Sequence, residues 1–358
     1  VRFGIPTETG LSIGIVERRV ALSPAGVREL CDLGAEVVVQ QGAGHGAGFQ
    51  DDEYRGAGGQ IVYSAEEAYR RADVVLRVER PRDAEWELLP DHGVLLAFLH
   101  LHIVSHAVVR RLSERGITAV GFEAVREDDG SYPLQKISSQ IAGRMAPQLA
   151  GRLLEAPGGG MGILLAGLPG IPPADVVILG GGVLGREAAR AFLGTGASVY
   201  VLDSAVPQLE EIERLFGGRV VTALATRSNI EKFTSFAEVL LGAVRQPERG
   251  APLLVTRDMV RQMKRGAVIL DFAINEGGCV ETSRLTPAES GVFVHEGVVH
   301  YAVPNVPALV PRTATYALTQ ALLPYLRYMA KEGVPTALRQ NPALWRGTYL
   351  LSGRVTHA

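Results

Sequence analysis

An apolar run from Val176 to Leu179 passes into Gly180, Gly181 and Gly182, with Gly185 three residues on. A second apolar run, Val199 to Leu202, closes on Asp203. This order of strand, tight turn, helix, strand and acid constrains the chain more than any other feature it carries. Gly180 permits the turn out of the strand, Gly182 lets the backbone approach a pyrophosphate, and Gly185 lets a helix pack close to the sheet. The helix that Arg186 to Phe192 predicts would offer unpaired N–H groups and a partial positive charge to phosphates. Asp203 sits where a carboxylate accepts hydrogen bonds from both ribose hydroxyls and repels a 2′-phosphate, so the pattern reads as a site for NAD rather than NADP. The chain has 42 glycines, so the surrounding strand, helix and acid carry this reading, not the glycines alone. A blander reading stays open, with the glycines serving turn geometry and Asp203 capping the next helix.

A chain of 358 residues is long enough for two domains. Its formal charge of −2 gives no reason to expect nucleic acid or an anionic membrane as partner. Two distant cysteines, Cys31 and Cys279, suit a reducing compartment and no disulfide framework, each as a small buried hydrophobe. The opening Val1 to Pro6 reads as a strand rather than a signal peptide. The apolar tract from Ile163 to Ile171 is broken by Gly167, Pro169 and Gly170, short of the ~18 residues a membrane span needs. A cytoplasmic protein without a metal is the expectation.

Strands are expected at Arg2–Ile5, Glu36–Gln40, Val74–Val78, Val94–Phe98 and Thr118–Gly121. Helices intervene. One has Ser23 as N-cap and Pro24 at its first position; another, from Ser64, has a capping box formed with Glu67. Ile137, Ile141, Met145, Leu149 and Leu153 fall four apart, a helix stripe crossing between domains and ended by Gly158 to Gly160. Further strands are expected from Val176 and at Val199–Leu202, Val220–Val221, Val239–Leu241, Leu253–Val255 and Ala267–Asp271. Thr313–Met329 and Ala343–Leu350 read as helices returning to the first domain. The fold class is therefore α/β, with two Rossmann-like doubly wound parallel-sheet domains and an interdomain active-site cleft. Residues 1–132 and 310–358 would form a discontinuous substrate domain, and residues 133–309 the NAD-binding domain.

Several longer motifs stand in this order: Gly4 to Thr9, Arg19 to Gly26, Gly42 to Gly44, Phe98 to Leu101, Ile141 to Arg144, the glycine loop, Gly277 to Cys279, and Val310 to Leu318. On these the chain resembles the alanine dehydrogenase family over nearly its whole length. That family also includes the soluble nucleotide-binding subunit of proton-translocating transhydrogenase, and the match is closer to alanine dehydrogenase. The resemblance implies oxidative deamination, in which hydride passes from an amino acid Cα to NAD and water converts the imine to a 2-oxo acid. It implies a small-molecule substrate and a homo-oligomer, hexamer or dimer. Arg19 would hold the substrate carboxylate bidentately and His100 would act as acid and base, with His102 peripheral. Gly180, Gly182, Val183, Leu184, Gly185, Asp203, Ser139, Ala243, Val244 and Asn305 would contact the cofactor.

Two departures fall on the substrate side. The family places a lysine where this chain has Glu79, and an aspartate where it has Asn275. Two negative charges ~4 Å apart repel by ~4 kcal/mol at an effective dielectric of 20, roughly a thousandfold in affinity. An amide at 275 keeps hydrogen bonding but shuttles no proton. The stretch Gly10 to Glu17 is longer than usual by about four residues, and Ser138, Ser139 and Gln140 replace the family's Met-Ser-Glu. Asn305 and Val306 replace its Asn-Met. Cofactor binding reads as retained, with a substrate other than ordinary alanine. Two alternatives remain. Arg77, Arg80 or Lys136 could restore the missing cation and leave an authentic L-alanine dehydrogenase, although Arg77 and Glu79 share a strand face and could pair. Or the chain is a silent NAD(H)-binding paralogue or a transhydrogenase-like subunit.

Overall fold

A computed structural model describes residues 1–8, 16–101, 104–245, 250–286 and 291–356. The chain forms two compact units, one from the described residues up to Ser138 and from Pro307 onward, the other from Ser139–Val306. The division lies inside a long helix rather than ahead of it at residue 133, and before rather than after residue 309.

In chain order the first unit contains β1 (Arg2–Ile5), α1 (Pro24–Asp32), β2 (Glu36–Gln40), α2 (Asp51–Gly56), β3 (Gln60–Val62) and α3 (Ala65–Arg70). It continues through β4 (Val74–Glu79), β5 (Val94–Phe98), α4 (His106–Glu114) and β6 (Thr118–Gly121) to α5 (Pro133–Leu154), which carries the unit boundary. The second unit holds β7 (Asp175–Leu179), α6 (Val183–Gly194), β8 (Ser198–Asp203), α7 (Val206–Phe216), β9 (Val221–Leu224) and α8 (Arg227–Phe236). It ends with β10 (Val239–Gly242), α9 (Arg257–Gln262), β11 (Val268–Asp271), β12 (Phe293–His295) and β13 (Val298–Tyr301). The chain then returns as α10 (Pro311–Glu332), α11 (Val334–Gln340), α12 (Pro342–Gly347), β14 (Thr348–Leu351) and β15 (Arg354–Val355).

The first sheet runs β3-β2-β1-β4-β5-β6-β14-β15, the second β9-β8-β7-β10-β11-β13-β12. Both are parallel except at one end, where β14 and β15, or β12, pair antiparallel. Both are thus doubly wound, with strand order reversing between β1 and β4 and between β7 and β10. Ligands of open α/β sheets bind outside the carboxyl ends of the strands at such a reversal.

The strands are apolar on both faces because both faces are covered. Val74 and Leu76 of β4 pack with Leu322, Leu326 and Met329 of α10 and Leu30 of α1. Val75, between them, joins Tyr69, Leu95 and Trp86 on the opposite face. In the second unit Val177, Leu179, Leu240 and Ile269 form one face with Met259 and Val260. Cys279 is buried, Cys31 half-buried, and both are free thiols.

Four local expectations need correction. Ala343–Leu350 is not one helix: α12 stops at Gly347 and β14 begins at Thr348, because these residues close the first sheet against β6. Leu253–Val255 forms no strand beyond a single bridge from Val255 to Val280. The long helix ends at Leu154, ahead of the glycine run. The Ser64 hydroxyl does accept from the Glu67 N–H, but the Glu67 carboxylate reaches Tyr63 N instead of closing the box on Ser64. Ser23 and Pro24 open α1 as their types dictate. No helix among the described residues is long and apolar enough to cross a membrane, and none of their His, Cys, Asp and Glu side chains group to hold a metal ion.

Gly4 lies in the middle of β1, and a Cβ there would overlap the backbone oxygen of Ala68 and crowd the Ala72 methyl group. Gly4→Ala is expected to lower stability by about 1–3 kcal/mol, read from the denaturant midpoint.

Candidate active site

The strand reversal of the first unit lies where β1 runs out toward Glu8 and β4 ends at Glu79. Two guanidiniums occupy this end. Arg77 donates from Nη1 to Glu85 at 2.6 Å and to the Tyr69 hydroxyl at 2.7 Å, and from Nη2 to Glu8 at 3.1 Å. The other Glu8 oxygen accepts from Val78 N at 2.7 Å. Arg19 donates from Nε and Nη2 to the two oxygens of Glu17 at 2.8 and 2.6 Å, and from Nη2 to Glu79 at 2.9 Å. Four carboxyls therefore meet two guanidiniums. Their side chains are nearly sealed, Glu17 at 0 % and Arg77 at 1 % exposure, while Glu79 at 15 % is the most exposed of the six.

This arrangement settles how Arg77 and Glu79 relate. β4 slips by one residue against β5 between Leu76 and Glu79, and one Glu8 oxygen accepts from both Arg77 Nη2 and Glu79 N. Arg77 turns to Glu8 and Glu85, and Glu79 to Arg19. Lys136 is exposed on α5, and Arg80 is half-buried. Burial pushes the Glu79 carboxyl up to about 8, with Glu17 and Glu8 adding to the rise against the opposing charges of Arg19 and Arg80. Burial likewise raises Glu8 despite Arg77. Burial alone would lower Arg19, but Glu17 and Glu79 hold it firmly charged.

His100 follows β5, the strand beside β4, two residues after Phe98, the partner of Glu79. Its backbone is left-handed, with φ of 46°, a conformation uncommon outside glycine. Glu123 holds it there: one carboxylate oxygen accepts from His100 N at 2.7 Å, the other from Leu99 N at 3.1 Å. The Tyr349 hydroxyl on β14 fixes Glu123 in turn at 2.9 Å. The His100 ring lies parallel to that of Phe98.

In the second unit Gly180 has φ of +106°, and a Cβ there would lie 2.6 Å from the Ala243 oxygen, so the turn joins the ends of β7 and β10. A Cβ at Gly185 would overlap the Gly180 oxygen. At Gly182, the N-cap of α6, a Cβ would meet nothing within 4 Å, so packing within the protein does not demand glycine there. No side chain caps α6, which leaves its first N–H groups for an anionic ligand. Asp203 accepts from Gly181 N at 2.6 Å and Ala205 N at 2.8 Å. It does not cap α7, whose N-cap is Ala205. A carboxylate with one oxygen on the glycine loop and the other on Ala205 N keeps further lone pairs for ribose hydroxyls. These features fit a dinucleotide. Val183 and Leu184 open α6, Ala243 and Val244 follow β10, Ser139 lies on α5, and Asn305 takes a left-handed backbone with φ of 56°.

Asn275 is exposed on a short 3-10 turn, Ile274–Glu276, after β11. That turn is pinned by Asp271, fully buried, whose carboxylate accepts from Ala273 N at 3.2 Å and Cys279 N at 3.0 Å.

Two family models, for the N-terminal and C-terminal domains of alanine dehydrogenase/PNT, match residues 4–142 and 146–358. The chain belongs to the alanine dehydrogenase family. It is 40% identical to the alanine dehydrogenase of Methanococcus maripaludis over 355 residues, covering 99% of this chain and 94% of that one. A solved L-alanine dehydrogenase superposes with a TM-score of 0.94 at 41% identity, covering 100% of this chain and 97% of that one. A transhydrogenase from Sinorhizobium meliloti gives 0.83 at 23% identity over 100% and 99% of the two chains, a likeness of fold. The members are nicotinamide-dependent oxidoreductases, and this chain has their two parallel-sheet domains.

Within this family frame, the sequence reading singled out Arg19, Glu79 and His100 but missed Glu8, Glu17, Glu123 and Asp271. Glu17 was legible as an acid two residues before Arg19. Glu123 and Asp271 had no sequence signal, because each acts on backbone groups that only the fold brings near. His102 and residues 9–15 of the stretch before Glu17 lie outside the described residues.

The raised Glu79 carboxyl has a stability consequence. From its ordinary value of 4.5 up to about 8, the folded state binds a proton that the unfolded state has lost. Stability therefore falls as pH rises through this window, by at most about 1.4 kcal/mol per unit. Urea denaturation between pH 5 and 8 is expected to show this slope, and Glu79→Gln to flatten it.

Proposed function

We propose that this chain is an NAD(H)-dependent oxidoreductase that transfers hydride between nicotinamide and a small amino- or imino-type substrate other than ordinary alanine. The observation that carries the reading is the engagement of Arg19. A substrate carboxylate held bidentately needs two donors on one edge of a guanidinium. Glu17 takes the Nε/Nη2 edge and Glu79 takes Nη2 from the other side. An incoming carboxylate must displace Glu79 to grip the Nη1/Nη2 edge. Where Glu79 is ionised, it also meets a repulsion of about 4 kcal/mol at 4 Å and an effective dielectric of 20. Where Glu79 is protonated, the donor is still taken.

In this reading Arg19 and Glu79 sort substrates, and His100 exchanges the proton of the amine or of the attacking water, its backbone held by Glu123. A neutral amide at Asn275 orients by hydrogen bonding and leaves proton transfer to His100. The bound nicotinamide accepts or supplies the hydride. Gly180, Gly182 and Gly185 shape the loop that receives its pyrophosphate, with α6 directing N–H groups at the phosphates. Asp203 favours NAD over NADP through charge and through ribose hydrogen bonds.

A spectrophotometric assay tests both halves. With NAD and a panel of amines and amino acids, and in reverse with NADH, ammonium and pyruvate, wild-type alanine turnover is expected to be weak or absent. Glu79→Lys is expected to raise it at least about tenfold, and adding Asn275→Asp to raise it further, through a restored cation and a restored proton carrier. Strong wild-type alanine turnover would overturn the reading and leave an ordinary alanine dehydrogenase. For the cofactor, Asp203→Ser is expected to cut the preference for NAD over NADP at least about tenfold, as kcat/KM with each nucleotide.

A further inference from the structure

Arg19 and Arg77 are each clamped by two carboxyls at the carboxyl end of the first sheet. Three of the acids are built into the scaffold. Glu8 and Glu85 hold Arg77, and Glu8 also receives the backbone of Val78; Glu17 is fully sealed against Arg19. Glu79 differs. It ends β4 at the strand reversal, and it is the group of this network with most exposure to an incoming molecule. An anion arriving there competes for an occupied guanidinium, whereas a cation meets a carboxyl and leaves both arginine pairings intact.

We propose that Glu79 is a specificity-determining residue that selects substrates bearing a second cationic group, an ammonium or guanidinium, besides the amine that is oxidised. The inference rests on the reading of the chain as an amine-oxidising NAD enzyme. The proton balance is simple: the neutral carboxyl and the substrate cation give a carboxylate–cation pair, and the proton goes to solvent.

The charged groups that bear on Glu79 are Arg19 and Glu17 from the segment before α1, Glu8 beyond β1, and Arg80 just after β4. Burial, with Glu17 and Glu8, raises this carboxyl toward its neutral form against the opposing charges of Arg19 and Arg80. A positive charge within about 4–6 Å favours the ionised carboxylate by about 1–3 pH units. Binding of the cation should then strengthen with pH by up to about tenfold per unit until about pH 8, and level off above it. A merely structural tie between Glu79 and Arg19 predicts no such dependence.

Two substrate pairs isolate the added charge: L-lysine against L-norleucine, and 1,4-diaminobutane against butylamine. Binding to the NADH-loaded protein is measured by titration calorimetry at pH 7 in two buffers of different ionisation heat, and turnover is measured in parallel. The expected result is at least tenfold tighter binding of the dicationic member in one pair or both, with release of about one proton. Glu79→Gln, which keeps an acceptor for Arg19 but cannot ionise, should abolish the preference and the proton release. The wild-type comparison between buffers stands even if this variant folds poorly. Equal binding within both pairs and no proton release would overturn the inference. If neutral amines or amino acids are then turned over with NAD, the reading of the chain as an amine-oxidising enzyme survives. If no amine of either kind is turned over, that reading falls, whereas tight proton-linked binding without turnover would leave Glu79 a selector in a protein that does not oxidise what it binds.

Discussion

Two buried guanidiniums organise the carboxyl end of the first sheet. Arg77 ties β4 to the chain beyond β1 through Glu8 and to the turn after β4 through Glu85. Arg19 ties the segment before α1 to the tip of β4 through Glu79. A buried charge that loses one partner costs about 3–5 kcal/mol, so neither arginine can be released without disturbing the strand ends it holds together. The local geometry follows from this, because the same ion pairs that secure the strand ends also fix which guanidinium donors are already taken.

The second unit meets a different demand with backbone rather than side chains. Its loop from Gly180 to Gly185 is dictated partly by the protein, which has no room for a Cβ at Gly185, and partly by open space, which Gly182 leaves unfilled. Asp203 is hydrogen-bonded to the loop itself, so the acid at the end of β8 and the turn at the end of β7 form one piece. The two units thus share a doubly wound topology, with a network of paired carboxyls and guanidiniums at one strand reversal and a glycine loop at the other.

Most of the fold could be read in advance because it is encoded locally. Apolar runs of three to five residues, such as Val37–Val39 and Val94–Phe98, are strands because both faces of each sheet are covered. The failures occurred where tertiary pairing outweighed local preference. Thr348–Leu351 follows a short helix in apolar sequence and reads as more helix, yet it supplies a sheet edge for β6. Leu253–Val255 is as apolar as a strand and finds only one bridge. The same division holds for the site. Arg19, Glu79, His100 and the glycine loop stand in recognisable motifs, whereas Glu123 and Asp271 matter through backbone N–H groups that no pattern marks.

The sequence by itself determined the two α/β units, the glycine loop with its acid, the family, and the presence of a glutamate and an asparagine where the family pattern has a lysine and an aspartate. Only the tertiary structure decided what the glutamate does. By strand alternation Arg77 is its natural partner, but in the fold Arg77 meets Glu8 and Glu85 while Glu79 meets Arg19. The physical reason is that charge pairing is set by distance through space, and the residues concerned are separated by as many as 69 positions in the chain.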